Sequence, residues 1–196
     1  MFKEFCRFFK IHEIDSSNIT SIHIFDNPSK VPLGFLEILN VFQGQSFGKG
    51  LYRLHRVENI TKWNAIVLEA FPEFKSRITC FGYDWLGRQF SLDSGRTENS
   101  EPQVLMFEPG TGEVLEIPCN FIDFHNTEIP NYHEACLASS FFREWLDESQ
   151  TILANEECAG YKVPLFLGGE DEVVNLEKCD LEVYWSICAQ LIRKTK

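Results

Sequence analysis

Between Phe81 and Pro118, short apolar runs are separated by Gly, Pro and Asp, the pattern of strands joined by tight turns. The first half passes through Phe81-Gly82-Tyr83 and Asp84-Trp85-Leu86-Gly87-Arg88 into Gln89-Phe90-Ser91-Leu92-Asp93. In the second half, Val104-Leu105-Met106-Phe107 and Val114-Leu115-Glu116-Ile117 flank Glu108-Pro109-Gly110-Thr111-Gly112-Glu113. Proline presets φ for a turn position and glycine tolerates φ > 0, so that hexapeptide predicts a chain reversal. Val104–Phe107 is apolar at every position, which predicts a strand covered on both faces. Residues 94–102 are polar and predict a loop.

Helical periodicity dominates on both sides of this stretch. Phe2, Phe5, Phe8 and Phe9 recur at helical spacing, and Pro32 opens a helix predicted over Leu33 to Phe42. Leu51–His55 predicts a short strand. Asn59 predicts a cap for the helix whose stripe is Ile60, Trp63, Ile66, Val67 and Ala70, ended by Phe71-Pro72. Ile22–Phe25 predicts an extended piece before the turn-like Asp26–Ser29. Beyond the sheet, Phe121 and Phe124 suggest a helical turn. Ala135, Ala138, Phe141, Phe142, Trp145 and Leu146 predict one further helix. Asp180 predicts the cap of a last helix with stripe Leu181, Tyr184, Trp185, Cys188, Leu191 and Ile192; basic residues at its end suit the helix dipole. The fold class is therefore α+β, a central antiparallel β-meander flanked by N-terminal and C-terminal helices. A coarse division separates residues 1–75, mainly helical, from residues 76–196, in one compact unit.

Charge excludes some functions. With 29 acidic against 18 basic residues the formal net charge is -11, which repels nucleic-acid phosphates and argues against direct nucleic-acid binding. The same field would steer a basic protein inward, although it also serves plain solubility. Seven cysteines in no C-x-x-C spacing, with no signal peptide and no membrane-length apolar run, place the chain in a reducing cytoplasm, away from the membrane.

No catalytic or metal motif emerges. His125 and His133 are eight residues apart across Pro130, not the i, i+4 pair of a helical zinc site, and no set of three ligands converges. Gln43–Gly50 is glycine-rich without the spacing of a phosphate loop, so a connector is favoured. Cys80 beside Phe81 predicts a buried thiol of raised pKa, not an activated nucleophile. Asp84, Asp93, Glu108 and Glu113 cluster about one sheet and make a carboxylate pair conceivable, but acidic residues at strand ends are commonplace. Asp84, Trp85, Gly87 and Arg88 form the most informative short motif. Asp favours the turn, Gly87 permits it, Trp85 anchors it to a helix, and Arg88 reaches Asp84 or a carbonyl; the competing reading makes Trp85 and Arg88 binding anchors. Glu170, Asp171 and Glu172 are a solvated loop or, in the sharper reading, a docking surface for a basic partner.

Several motifs resemble those of known bacterial domains. Gly50-Leu51-Tyr52-Arg53-Leu54, Trp63, Ala70-Phe71-Pro72 and Phe81 through Phe90 resemble the GAD-like domain. Val104 through Pro118, Tyr161 through Gly169, Asn175-Leu176-Glu177 and Val183-Tyr184-Trp185 resemble the C-terminal domain of immunity proteins for type VI secreted DNase effectors. The SUKH superfamily is a near alternative on fold. The resemblance implies an immunity protein that binds and neutralises a cognate toxin, a basic nuclease, with no cofactor, no metal and no catalytic residues. The alternatives are an enzyme with a cryptic carboxylate site and a general interaction module, for which a homodimer is open.

Overall fold

A computed structural model describes residues 1–11 and 31–195. The expected extended piece Ile22–Phe25, its following turn, His12 and His23 lie outside the described residues.

The centre is a six-stranded antiparallel sheet in sequence order, β1 to β6. Its strands are β1 (Ser46–Phe47), β2 (Tyr52–Leu54), β3 (Ile78–Asp84), β4 (Gln89–Glu98), β5 (Glu101–Glu108) and β6 (Glu113–Asn120). Strand pairing runs across residue 75, since β2 lies against β3 with Tyr52 opposite Asp84 and Leu54 opposite Gly82. The helices are α1 (Lys3–Phe8), α2 (Phe35–Phe42), α3 (Val57–Ala70), α4 (Phe121–Asp123), α5 (Ile129–Leu137), α6 (Ser139–Ser149) and α7 (Leu181–Thr195). A separate hairpin pairs β7 (Glu157–Tyr161) with β8 (Leu176–Asp180).

Both faces of the sheet are covered, which explains the uninterrupted apolar run in β5. Val104 and Met106 join Phe81, Phe90 and Leu92 against α1, α2 and the α4–α6 segment. Leu105 and Phe107 point the other way, joining Ile78, Cys80 and Tyr83 against α3 and α7. Rings fill both interfaces: Phe81 meets Phe121 at 5.0 Å and Phe71 meets Phe107 at 5.3 Å, within the range of favourable aromatic pairs. The mixed helix–sheet class and the meander follow the sequence expectation.

Some boundaries differ from expectation. The polar stretch 94–102 is mostly strand, because β4 and β5 continue as a ribbon beyond the core and turn at Asn99-Ser100, both at positive φ. Outside the core no apolar alternation is required, so the ribbon reads as a loop. Asn59 is not a cap: α3 starts two residues earlier, with Arg56 before it and no side-chain cap bond. The stripe expected as one helix around Phe141 is two, broken at Ala138 in the left-handed region (φ 48°). There the Glu134 carboxylate accepts from Ser139 Oγ, Ser140 N and Ser140 Oγ at 2.7–3.0 Å and caps α6. The helix ends with a residue whose side chain starts the next, so the apolar stripe hides the break.

Candidate partner-binding site

The Asp84–Arg88 turn stands where the sheet, both helical layers and the β7–β8 hairpin meet. Asp84 Oδ1 accepts the Leu86 and Arg88 amides at 3.1 and 3.0 Å, and Oδ2 accepts Arg88 Nε at 2.6 Å. Arg88 Nη2 also donates to the Cys136 carbonyl at 3.1 Å, tying the turn to α5. Burial pushes the Asp84 carboxyl above its ordinary range, held back by the attraction and hydrogen bonds of Arg88. Burial weakens the Arg88 charge in turn, but Asp84 and Glu108 outweigh it and hold the guanidinium above its ordinary value. Gly87 takes φ +79°, and a Cβ there would stand 2.9 Å from Leu181 Cδ1. Trp85 is fully buried, with its ring 5.2–5.9 Å from Phe141, Phe142 and Trp145 of α6 and Nε1 donating to the Leu137 carbonyl at 2.9 Å. On the far side, Trp185 Nε1 donates to the Gly87 carbonyl at 2.7 Å. The Ala159 amide donates to the Trp85 carbonyl at 2.8 Å and so hangs β7 from the same turn. Trp85 and Arg88 thus spend these contacts inside the protein.

Glu170, Asp171 and Glu172 lie exposed in the long β7–β8 connection. That connection is held at its base by Asn175, whose side chain donates to the Val163 and Glu170 carbonyls and accepts the Val163 amide. Asp171 Oδ1 accepts Tyr161 Oη at 2.5 Å. Tyr161 in turn lines a shallow groove with Gly160, Cys179 and the outer face of α7. There Val183 and Ile187 are 55% and 51% exposed and Leu191 is half-buried, an i, i+4, i+8 aliphatic row beside the acidic loop. Asp180 caps α7, its Oδ1 accepting the Val183 amide at 2.9 Å. Glu182 is turned toward α3, where it pairs with Lys62. Val183 and Ile187 of this row escaped the sequence reading, which followed the buried stripe and took in Leu191 alone of the three.

Of the four carboxylates considered for catalysis, Asp84 and Asp93 are each held by an arginine, and Glu108 feels the charges of Asp84 and Glu113. Asp84 pairs with Arg88, and Asp93 pairs with Arg77 through both oxygens at 3.0 and 2.6 Å. Glu108 is partly buried and its carboxyl is pushed up by that burial, whereas Glu113 is exposed. The histidines of the core are structural. His125 sits in a π-helical segment, Phe124–Glu128; its Nδ1 donates to the Phe121 carbonyl (2.8 Å) and its Nε2 accepts Tyr52 Oη (3.0 Å). Burial lowers its pKa to about 3. His55 stacks against both Trp63 and Tyr83 and meets Gln89 Oε1 at 2.7 Å; burial lowers its pKa to about 4. His133 Nδ1 lies 2.6 Å from Ser139 Oγ, but that hydroxyl donates to Glu134, which is engaged as the α6 cap. Cys80 is buried and its thiol is pushed up to about 12. Among the described residues no three His, Cys, Asp or Glu side chains are placed to hold a metal ion, and no helix is long and apolar enough to cross a membrane.

The hairpin, its acidic loop and α4–α7 form one continuous segment of chain, and known proteins resemble that segment most specifically. Residues 121–192 match the family model of the type VI secretion system (T6SS) immunity protein Tdi1, C-terminal. The motifs at Tyr161–Gly169, Asn175–Glu177 and Val183–Trp185 fall inside the matched segment. Val104–Pro118 falls outside it, and forms β5, the turn and β6 of the main sheet. No curated protein matches the chain. Among solved structures, the crystal structure of Atu4351 from Agrobacterium tumefaciens superposes with a TM-score of 0.64 at 14% identity, covering 97% of this chain and 89% of that one. At that identity the likeness shows a shared fold.

Proposed function

We propose that this chain is an immunity protein of a type VI secretion system, which binds a cognate toxin and neutralises it stoichiometrically, without catalysis. The match of residues 121–192 to the Tdi1 C-terminal family carries this reading. The partner is a basic nuclease, a DNase, and the protein meets it in the producing cell. The GAD-like resemblance of the N-terminal half belongs to the same reading: one two-part immunity protein built on one sheet.

We place the toxin against the acidic loop Glu170–Asp171–Glu172 and the adjoining Val183–Ile187 row of α7. Interfaces combine an apolar centre with a charged rim, and an acidic rim on a chain of net charge -11 accelerates encounter with a basic nuclease. The internally satisfied Asp84–Arg88 turn supports this assignment by leaving Trp85 and Arg88 no free surface. The test is co-expression with the product of the adjacent gene. The reading predicts that this product is toxic alone, harmless with this chain, and co-purifies with it as a defined complex. A neighbour that is neither toxic nor bound refutes it.

A further inference from the structure

A second surface has the opposite electrostatic character. A groove of about 580 Å³ runs between the end of α1, the Gly48–Gly50 turn and the start of α6. Its floor is aromatic and aliphatic: Phe8 and Phe9 come from α1, and Phe142 from α6. Phe8 lies against the His133 ring at 5.3 Å and Phe9 against Phe47 at 5.2 Å, and the two phenylalanines meet edge-on at 4.9 Å. Lys10, Lys49 and Arg143, all exposed, stand on the rim.

Among the described residues no acidic side chain lines this groove, although acidic residues outnumber basic ones 29 to 18 in the chain. Glu134 is the nearby carboxylate of α5; it keeps its charge, and its Oε2 is held by Ser139 and Ser140. Among the described residues none of the three rim cations forms an ion pair; Arg143 donates to Ser140 Oγ at 2.8 Å. Three unpaired cations around an apolar floor are complementary to a ligand with an apolar centre and anionic flanks. The volume accommodates one or two large side chains, and the open form admits a chain segment.

We infer that this groove docks an acidic segment of a partner protein, which inserts a large apolar side chain between Phe8, Phe9 and Phe142 and sets its carboxylates against Lys10, Lys49 and Arg143. None of Glu170, Asp171 and Glu172 lines this groove, and the inference stands whether or not the chain neutralises a toxin.

The probe is the capped hexapeptide Asp-Glu-Phe-Leu-Asp-Glu, titrated to about 1 mM into the 15N-labelled full chain and followed by amide chemical shifts. Saturable shifts confined to α1, the Gly48–Gly50 turn and the start of α6 are expected. Lys49→Glu with Arg143→Glu replaces two attractions by two repulsions at exposed positions, and weakens binding at least about tenfold at low salt with the thermal midpoint unchanged. Replacing the peptide's Phe and Leu by Ser abolishes binding. A Lys-for-Asp/Glu version of the peptide that binds as well, shifts that centre elsewhere, or no saturation at all overturns the inference. So does a folded charge-reversed variant with unchanged affinity.

Discussion

Replacing Trp85 by Ala tests whether the Asp84–Arg88 turn is a structural junction. The indole is fully buried among three aromatic rings of α6, with its N–H on the Leu137 carbonyl. Truncating a large buried aromatic costs about 3–5 kcal/mol, and a buried carbonyl left without its donor adds about 1 kcal/mol. Single domains are stable by only about 5–15 kcal/mol, so Trp85→Ala removes a large share of the total. With a urea dependence of about 2 kcal/mol/M, the unfolding midpoint falls by about 2 M. Should the Ala variant fail to fold, Trp85→Phe keeps most of the ring and loses the hydrogen bond, for an expected cost of about 1–2 kcal/mol. Equilibrium urea unfolding followed by far-UV circular dichroism measures both. A midpoint shift below about 0.5 M for Trp85→Ala refutes the packing argument. A fully folded variant that loses partner binding would turn the junction into an interface.

Three further outcomes follow from the same contacts. Gly87→Ala meets both a positive φ and the Leu181 side chain, and is expected to cost about 2–3 kcal/mol in the same urea assay. His55 and His125 hold pKa values of about 4 and about 3 when folded, against about 6.5 unfolded, so the unfolded chain takes up protons first as pH falls. Stability is complete above about pH 6.5 and falls through the window down to about 3, by up to about 3 kcal/mol between pH 6.5 and 5; the raised carboxyls of Asp84 and Glu108 act in the opposite sense. Urea midpoints that rise on acidification over that range contradict the histidine assignment. Finally, reversing Glu170, Asp171 and Glu172 to Lys leaves the thermal midpoint within a few degrees and slows association with the basic partner by at least about tenfold, read by surface binding kinetics.

The main sheet was legible because its signals are local. The Glu108–Glu113 reversal announces itself by Pro and two glycines, and Gly112 does take φ +69°, its amide reaching the Glu108 carbonyl at 3.0 Å. The apolar run Val104–Phe107 could be assigned two covered faces because each side chain demands burial, and α3 and α7 on one side with α1, α2 and α4–α6 on the other supply it. Asp84 and Arg88 are within reach of each other around Gly87 from spacing alone. That Trp85 would reach Leu137 at the end of α5 while Trp185 reaches back to Gly87 depends on contacts 52 and 98 residues apart, which no local pattern encodes. The break at Ala138 was hidden for a different reason, since a left-handed alanine has no compositional mark. Surface features were the least legible. The Val183–Ile187 row is interleaved with the buried stripe of α7, and the basic groove gathers Lys10, Lys49 and Arg143 from three distant segments.

The claim on which the account rests is that this chain protects by binding a toxin. The most direct measurement is isothermal titration of the purified chain into the purified, catalytically inactivated product of the adjacent gene, paired with survival of cells expressing the active form with and without this chain. The account predicts a stoichiometric complex and full protection, both weakened by Glu170→Lys, Asp171→Lys and Glu172→Lys together. No heat of binding and no protection would contradict it.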